Sequence, residues 1–207
     1  MSETILVTGA SAGFGQAICR RLVADGYRVI GSARRIDKLQ ALQEELGEAF
    51  YPLQMDVTDL SQVDHALASL PKAWERVDVL VNNAGLALGL APAYEAEVAD
   101  WLTMIQTNIV GLTYLTRKIL PQMVERNDGY IINLGSTAGT VPYPGANVYG
   151  ASKAFVKQFS LNLRADLAGK KIRVSNIEPG LCEGTEFSSV RFKGDEKRVE
   201  ALYRDAH

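Results

Sequence analysis

Cysteine and histidine are scarce in this chain, with two of each among 207 residues. Cys19 and Cys182 have no paired spacing, which excludes a disulfide framework and a zinc-type cysteine cluster. His65 and His207 form no ligand set, so no metal is expected. The net charge is only -2, leaving no basic excess to hold nucleic acid or an anionic membrane surface. No apolar run approaches the roughly 18 residues that span a bilayer. The opening residues, Met1-Ser2-Glu3-Thr4, carry no basic segment and no signal-type apolar core. A reducing, cytoplasmic setting and a small-molecule substrate are the expectation, with neither nucleic acid nor membrane as partner.

What is present is ordinary globular material: 47% apolar and 22% charged residues, enough for one domain with a full core. The pattern alternates strand and helix. Apolar strands are predicted at Thr4–Thr8, Arg28–Ala33, Phe50–Gln54, Val77–Val81, Tyr130–Leu134 and Ile172–Ile177. Near-continuous apolar runs of this kind fit strands covered on both faces. Between them, Phe14, Ala17, Ile18 and Leu22 keep helical spacing, with Gly26 closing that helix. Ile36–Leu46 reads as a second helix closed by Gly47, and Asp59 or Ser61 caps a third that ends near Leu70. Asp100–Arg126 reads as one long helix with Gly111 inside and a kink or break at Pro121. Val148–Leu167 is the last long helix. Six strands alternating with helices predict an α/β fold: a doubly wound parallel sheet in three α/β/α layers, with ligands beyond the carboxyl ends of the strands.

The chemistry-bearing residues all fall at such ends. Gly9, Gly13 and Gly15 follow the first strand and open a helix, where glycine lets the backbone approach a pyrophosphate and the helix N-terminus favours the anion. Their Gly-x-x-x-Gly-x-Gly spacing departs from the commoner Gly-x-Gly-x-x-Gly. At the end of the second strand, where a carboxylate would mark NAD, stand Arg34 and Arg35, which suit a 2′-phosphate. NADP is therefore the favoured cofactor. Ser136 follows the fifth strand, and Tyr149 and Lys153 sit one turn apart on one helix face. Lowering a phenol's pKa of about 10 by about 3 units takes roughly 4 kcal/mol, which a desolvated lysine and a cationic ligand could supply.

With Asn82-Asn83-Ala84-Gly85 after the fourth strand, these motifs in this order resemble the short-chain dehydrogenase/reductase superfamily over nearly the whole chain. The resemblance implies a Rossmann fold and assigns roles. Gly9, Ser11, Gly13, Phe14 and Gly15 wrap the cofactor diphosphate, and Arg34 and Arg35 contact the 2′-phosphate. Asp56 and Val57 meet adenine, while Asn83 lies beside the adenosine ribose and stabilises the sheet. Asn108, Ser136, Tyr149 and Lys153 form the catalytic set. Asn108 holds a relay water, Ser136 binds the substrate oxygen, Tyr149 is the acid/base, and Lys153 lowers the pKa of Tyr149 and binds the nicotinamide ribose. Pro179-Gly180 positions the nicotinamide. The threonine expected five residues after that proline is displaced by one, to Thr185. The family's long helices pair across a two-fold axis, which implies a homo-oligomer, a dimer or a tetramer. It also implies roughly 40 further residues, one strand–helix unit, beyond His207.

Three stretches narrow the resemblance to NADP-dependent 3-hydroxy acid dehydrogenases acting on serine, allo-threonine and 3-hydroxyisobutyrate or the matching semialdehydes. They are Asn-Asn-Ala-Gly-Leu-Ala-Leu-Gly from Asn82, Gly-Ser-Thr-Ala-Gly from Gly135, and Gly-Thr-Glu-Phe-Ser-Ser-Val-Arg-Phe from Gly184. An acid substrate needs a cation other than Lys153. Arg191 is the candidate, able to grip a carboxylate bidentately; pairing with Glu186 or Asp195, or solvation on a lid, is the alternative. A reductase of another small carbonyl, a non-catalytic NADP-binding regulator and an idle assembly subunit stay open. The intact Ser136, Tyr149 and Lys153 argue against the regulator.

Overall fold

The five residues Thr4–Thr8 (β1) are buried without exception, and the molecule is built outward from them. A computed structural model describes residues 2–182 and 186–204. On one side, β1 pairs with β2 (Arg28–Ala33), which pairs with β3 (Phe50–Gln54); on the other it pairs with β4 (Val79–Asn82), then β5 (Gly129–Leu134) and β6 (Ile172–Ile177). Every pairing is parallel, and the order β3-β2-β1-β4-β5-β6 reverses direction at β1 and β4. Crossovers leave on opposite faces there, so a crevice opens above the ends of β1 and β4.

Alternation along the strands fills the two faces separately. Ile5, Val7, Val29, Val79 and Val81 pack against Cys19 of α1 (Gly13–Ala24) and Leu39 and Leu42 of α2 (Ile36–Leu46). Leu6, Ile30, Leu53, Leu80 and Ile131 face Val63 of α3 (Leu60–Ala68), Leu115, Ile119 and Met123 of α5 (Leu112–Arg126), and Leu163 of α6 (Asn147–Asp166). The sheet is thus the middle of three layers, with helices on both faces. Among the described residues no helix is long and apolar enough to cross a membrane.

Three local expectations change. First, β4 begins at Val79, because Asp78 fixes the strand entry with its side chain: its carboxylate accepts from Thr4 N at 2.9 Å while its own N–H donates to the Thr4 carbonyl at 2.8 Å. Second, the long helix starts at Val98 as α4 (Val98–Ile105) and passes through a π-helical turn, Gln106–Gly111, before α5. Gly111 comes so close to the β3–α3 connection that a Cβ on it would lie 2.7 Å from the Val57 carbonyl oxygen. Third, Pro121 does not break α5. A proline costs a helix interior about 3 kcal/mol, and burying Leu115, Ile119 and Met123 at about 1.5–3 kcal/mol each outweighs it. After β6 the chain forms two further helices, α7 (Glu186–Arg191) and α8 (Glu196–Arg204).

Candidate active site

A cleft of about 520 Å³ runs over the carboxyl ends of the strands, from Gly9 and Arg35 at one end to Ser136, Tyr149 and Arg191 at the other. At the first end the backbone is shaped by glycine. Gly9 and Gly13 have φ of +69° and +51°, which favours glycine. A Cβ on Gly15 would collide with the Gly9 carbonyl oxygen. The helix α1 that follows has Ala12 as its N-cap, no side-chain acceptor there and no acid in its first turn. Its leading N–H groups and the positive end of its dipole therefore suit an anionic ligand. Asn83 locks the base of the loop: its Nδ2 donates to the Thr8 carbonyl at 2.8 Å, and its backbone N–H donates to Thr8 Oγ1 at 3.0 Å.

The two arginines at the end of β2 part company. Arg35 lines the cleft, where its guanidinium reaches Ser11 Oγ at 3.1 Å and Glu186 Oε2 at 2.8 Å. Arg34 is exposed and is not part of the cleft wall. Asp56 and Val57 also stand outside that wall. The Asp56 carboxylate accepts from Thr58 N at 2.9 Å and Thr58 Oγ1 at 2.8 Å, closing a turn.

At the other end Ser136 caps a short turn, Thr137–Gly139, accepting from Ala138 N at 3.2 Å. That turn lies directly on α6. A Cβ on Gly139 would sit 2.7 Å from the Lys153 backbone carbon, and one on Gly150 would sit 2.9 Å from the Ala138 carbonyl oxygen. Two glycines thus let the serine turn reach the helix that carries Tyr149 and Lys153. Asn108 lies in the π-helical turn, 1% exposed. Its side-chain amide is bonded within the protein, with one lone pair of Oδ1 left over: Oδ1 accepts from Leu86 N, and Nδ2 donates to the Leu86 carbonyl and to Ser152 Oγ. Ser152 in turn donates to the Tyr149 carbonyl at 2.7 Å.

Tyr149 is 8% exposed, and burial pushes its phenol above the usual value; the nearby Tyr143 adds to this, while the Ser136 hydroxyl and the Arg191 guanidinium oppose it. Lys153 Nζ donates to the Leu134 carbonyl at 2.8 Å and stands 5.9 Å from the Tyr149 ring centre. Burial brings the ammonium itself down to about 8. The nearest cation over Tyr149 is Arg191, 5% exposed, with Cζ 5.7 Å from the ring centre. Arg191 pairs with neither Glu186 nor Asp195: Glu186 holds Arg35, and among the described residues no carboxylate pairs with Arg191. Lys193 is taken by Asp100 at 2.9 Å.

Pro179 and Gly180 line the cleft, and the Pro179 carbonyl accepts from Thr137 N at 3.0 Å. Thr185 lies outside the described residues. Among those described, no group of three His, Cys, Asp or Glu could hold a metal ion. The sequence reading passed over Thr8, Tyr143, Ser152 and Phe187. Phe187 packs against the Tyr149 ring, tilted, with ring centres 5.8 Å apart. Thr8 ends a strand beside the glycine loop and was visible in principle; the others depend on contacts between distant segments.

Comparison with known proteins agrees with this geometry. Residues 3–196 match the short chain dehydrogenase family. The NADP-dependent 3-hydroxy acid dehydrogenase of Escherichia coli (strain K12) is 59% identical over 201 residues, covering 97% of this chain and 81% of that protein. The serine 3-dehydrogenase of Agrobacterium fabrum is 52% identical over 204 residues, covering 99% and 81%. The closed form of a serine dehydrogenase complexed with NADP+ superposes with a TM-score of 0.95 at 59% identity, covering 97% of this chain and 81% of that one. The glycine loop, the Ser136–Tyr149–Lys153 cluster and these matches place the chain in the short-chain dehydrogenase family.

Proposed function

We propose that this protein is an NADP-dependent oxidoreductase that moves a hydride between NADP(H) and a short 3-hydroxy acid (serine, allo-threonine or 3-hydroxyisobutyrate) or the matching semialdehyde. The observation that carries the substrate class is the buried Arg191 guanidinium, set over Tyr149 with no carboxylate partner among the described residues. A buried cation needs an anion, and the substrate's carboxylate is the anion that belongs beside the reacting carbon. Relatives named for 3-hydroxy acid and serine dehydrogenation support the same reading.

Gly9, Ser11, Gly13 and Phe14 would hold the cofactor diphosphate and Arg35 its 2′-phosphate, with Asn83 at the adenosine ribose and Lys153, Pro179 and Gly180 at the nicotinamide end. Held there, the nicotinamide would supply the hydride chemistry of the reaction, in either direction. Tyr149 Oη, as phenolate, takes the proton from the substrate hydroxyl in oxidation and returns it in reduction. The Ser136 hydroxyl, which here donates to the Pro179 carbonyl at 3.4 Å, would turn to donate to the substrate oxygen where charge develops. Lys153 would swing its Nζ from Leu134 to the ribose hydroxyls. Asn108 stands one side chain away: a Cβ on Gly85 would lie 3.3 Å from both Asn108 Oδ1 and Lys153 Nζ. That proximity supports Asn108 as the group anchoring a proton relay behind the lysine.

The direct test is NADPH formation from serine and 3-hydroxyisobutyrate. Arg191→Met should raise KM for these acids at least tenfold, the size of one lost charged hydrogen bond, and change neutral alcohols of similar size little. Equal losses on both would place the carboxylate elsewhere. For the cofactor, Arg35→Ala should weaken NADPH binding by about ten- to a hundredfold, and NADH binding hardly at all. Arg34→Ala should cost less, since Arg34 lies off the cleft. Fluorescence titration with both nucleotides decides it, and equal losses would remove the 2′-phosphate assignment.

A cytoplasmic homo-oligomer completes the reading. Val98, Leu102 and Ile105 on α4 and Phe155 and Leu161 on α6 leave large apolar side chains exposed on adjoining helices. Such stripes suit a two-fold contact between copies, giving a dimer or, through a second contact, a tetramer. Light scattering at micromolar concentration should find no monomer.

A further inference from the structure

Arg191 is held in place by a seat assembled from two distant segments. Its Nε donates to the Gly89 carbonyl at 3.0 Å and its Nη2 to the Tyr143 hydroxyl at 3.0 Å. The Gly89 N–H returns a bond of 2.9 Å to the Arg191 carbonyl, fixing the end of α7 to the same loop. A guanidinium has five N–H groups in a rigid fork. With Nε and one Nη2 hydrogen committed, the three that remain include the Nη1–Nη2 pair that takes a carboxylate end-on.

The seat is stiff for reasons written in the sequence. Tyr143 lies between Pro142 and Pro144. The first proline fixes its own φ, and the second restricts Tyr143 to extended backbone. Gly145 follows with φ +79°, packed so closely that a Cβ on it would collide with the Leu90 carbonyl oxygen. Asn147 then spans to the same loop, donating to the Ala91 carbonyl at 3.1 Å and accepting from Trp101 Nε1 at 3.0 Å. The Gly89–Ala91 strip and the Pro-Tyr-Pro-Gly segment are therefore one body, and Arg191 docks on it from the end of α7.

We infer that Tyr143 is a positioning residue that sets acid selectivity: its hydroxyl holds the Arg191 fork over Tyr149 with the Nη1–Nη2 edge open to a substrate carboxylate. This rests on the reading of Arg191 as the carboxylate group. It assigns Tyr143 no proton transfer and no contact with the hydride.

The experiment measures kcat and KM for 3-hydroxyisobutyrate and for its neutral amide in wild type, Tyr143→Phe, Arg191→Met and the double variant. Tyr143→Phe should lower the acid-to-amide ratio of kcat/KM about tenfold, chiefly through KM for the acid. Arg191→Met should lower that ratio further. In the Arg191→Met background Tyr143→Phe should change it no more, because the hydroxyl acts only through the guanidinium. Loss of acid selectivity in Arg191→Met but not in Tyr143→Phe would overturn the inference while leaving the carboxylate reading intact. A ratio untouched by Arg191→Met would overturn both. Equal losses on acid and amide in Tyr143→Phe, or an effect on the ratio that persists without Arg191, would mean that Tyr143 merely supports the fold.

Discussion

Replacing Tyr149 by phenylalanine should lower kcat by a thousandfold or more while NADPH affinity stays within about threefold. The side chain keeps its ring, its burial and its contact with Phe187, so the fold and the cofactor cleft lose nothing but one oxygen. That oxygen is the proton acceptor, and positioned acid/base groups contribute about 10²–10⁴ in rate. Because it acts mainly in the transition state, its loss should appear in kcat and not in nucleotide binding. The pH profile carries a second sign. Burial holds the phenol above its ordinary value, so oxidation, which needs the phenolate, should rise toward alkaline pH. Arg191→Met should push that limb higher still, since the guanidinium favours the phenolate. A Tyr149→Phe variant with substantial turnover would refute the mechanism.

The layer order was legible because strands buried on both faces leave apolar runs with few interruptions, and β1, β2, β3, β5 and β6 lie where those runs fall. The start of β4 was not, because Asp78 reads as a polar residue within an apolar run, and only the fold shows its carboxylate standing in for a ladder bond. The π-helical turn at Gln106–Gly111 leaves no compositional trace; its one extra residue per turn is invisible to a periodicity read over so few positions. For the site, glycines betray close backbone approach, and so the cofactor loop could be read. Tyr149 and Lys153 could be read from their one-turn spacing. The direction of the Lys153 side chain could not, because its partner is a backbone carbonyl of another strand. Arg34 and Arg35 are identical in sequence logic, and only the twist of the chain after β2 turns one of them into the cleft. The partner of Arg191 was not legible either, because it depends on Glu186 lying on Arg35 and on Tyr143, 48 residues away, meeting the guanidinium.

Lys153→Met should remove most activity and yet stabilise the cofactor-free protein below pH 8. The ammonium is 7% exposed, and burial alone takes its pKa from 10.5 to about 8. A cation whose folded-state pKa lies below its unfolded value opposes folding while both states are charged, and the opposition fades as pH rises between the two values. The cost is therefore fully present below about pH 8 and relieved between 8 and 10.5. Its size, at 1.36 kcal/mol per unit, is on the order of 3 kcal/mol. Methionine fills a similar volume with no charge; it forfeits the bond to the Leu134 carbonyl, worth about 1 kcal/mol. A net gain of roughly 2 kcal/mol follows, read as a higher Tm at pH 6.5 for the variant without nucleotide. At pH 9.5 the gap should narrow, because the wild-type lysine has by then shed its proton while methionine has none to lose. Turnover and NADPH affinity should both fall, since the ammonium that destabilises the empty cleft is the group that would bind the nicotinamide ribose. A variant less stable than wild type at pH 6.5, or a gap that widens with pH, would mean that the buried ammonium is stabilised by its surroundings and not strained by them.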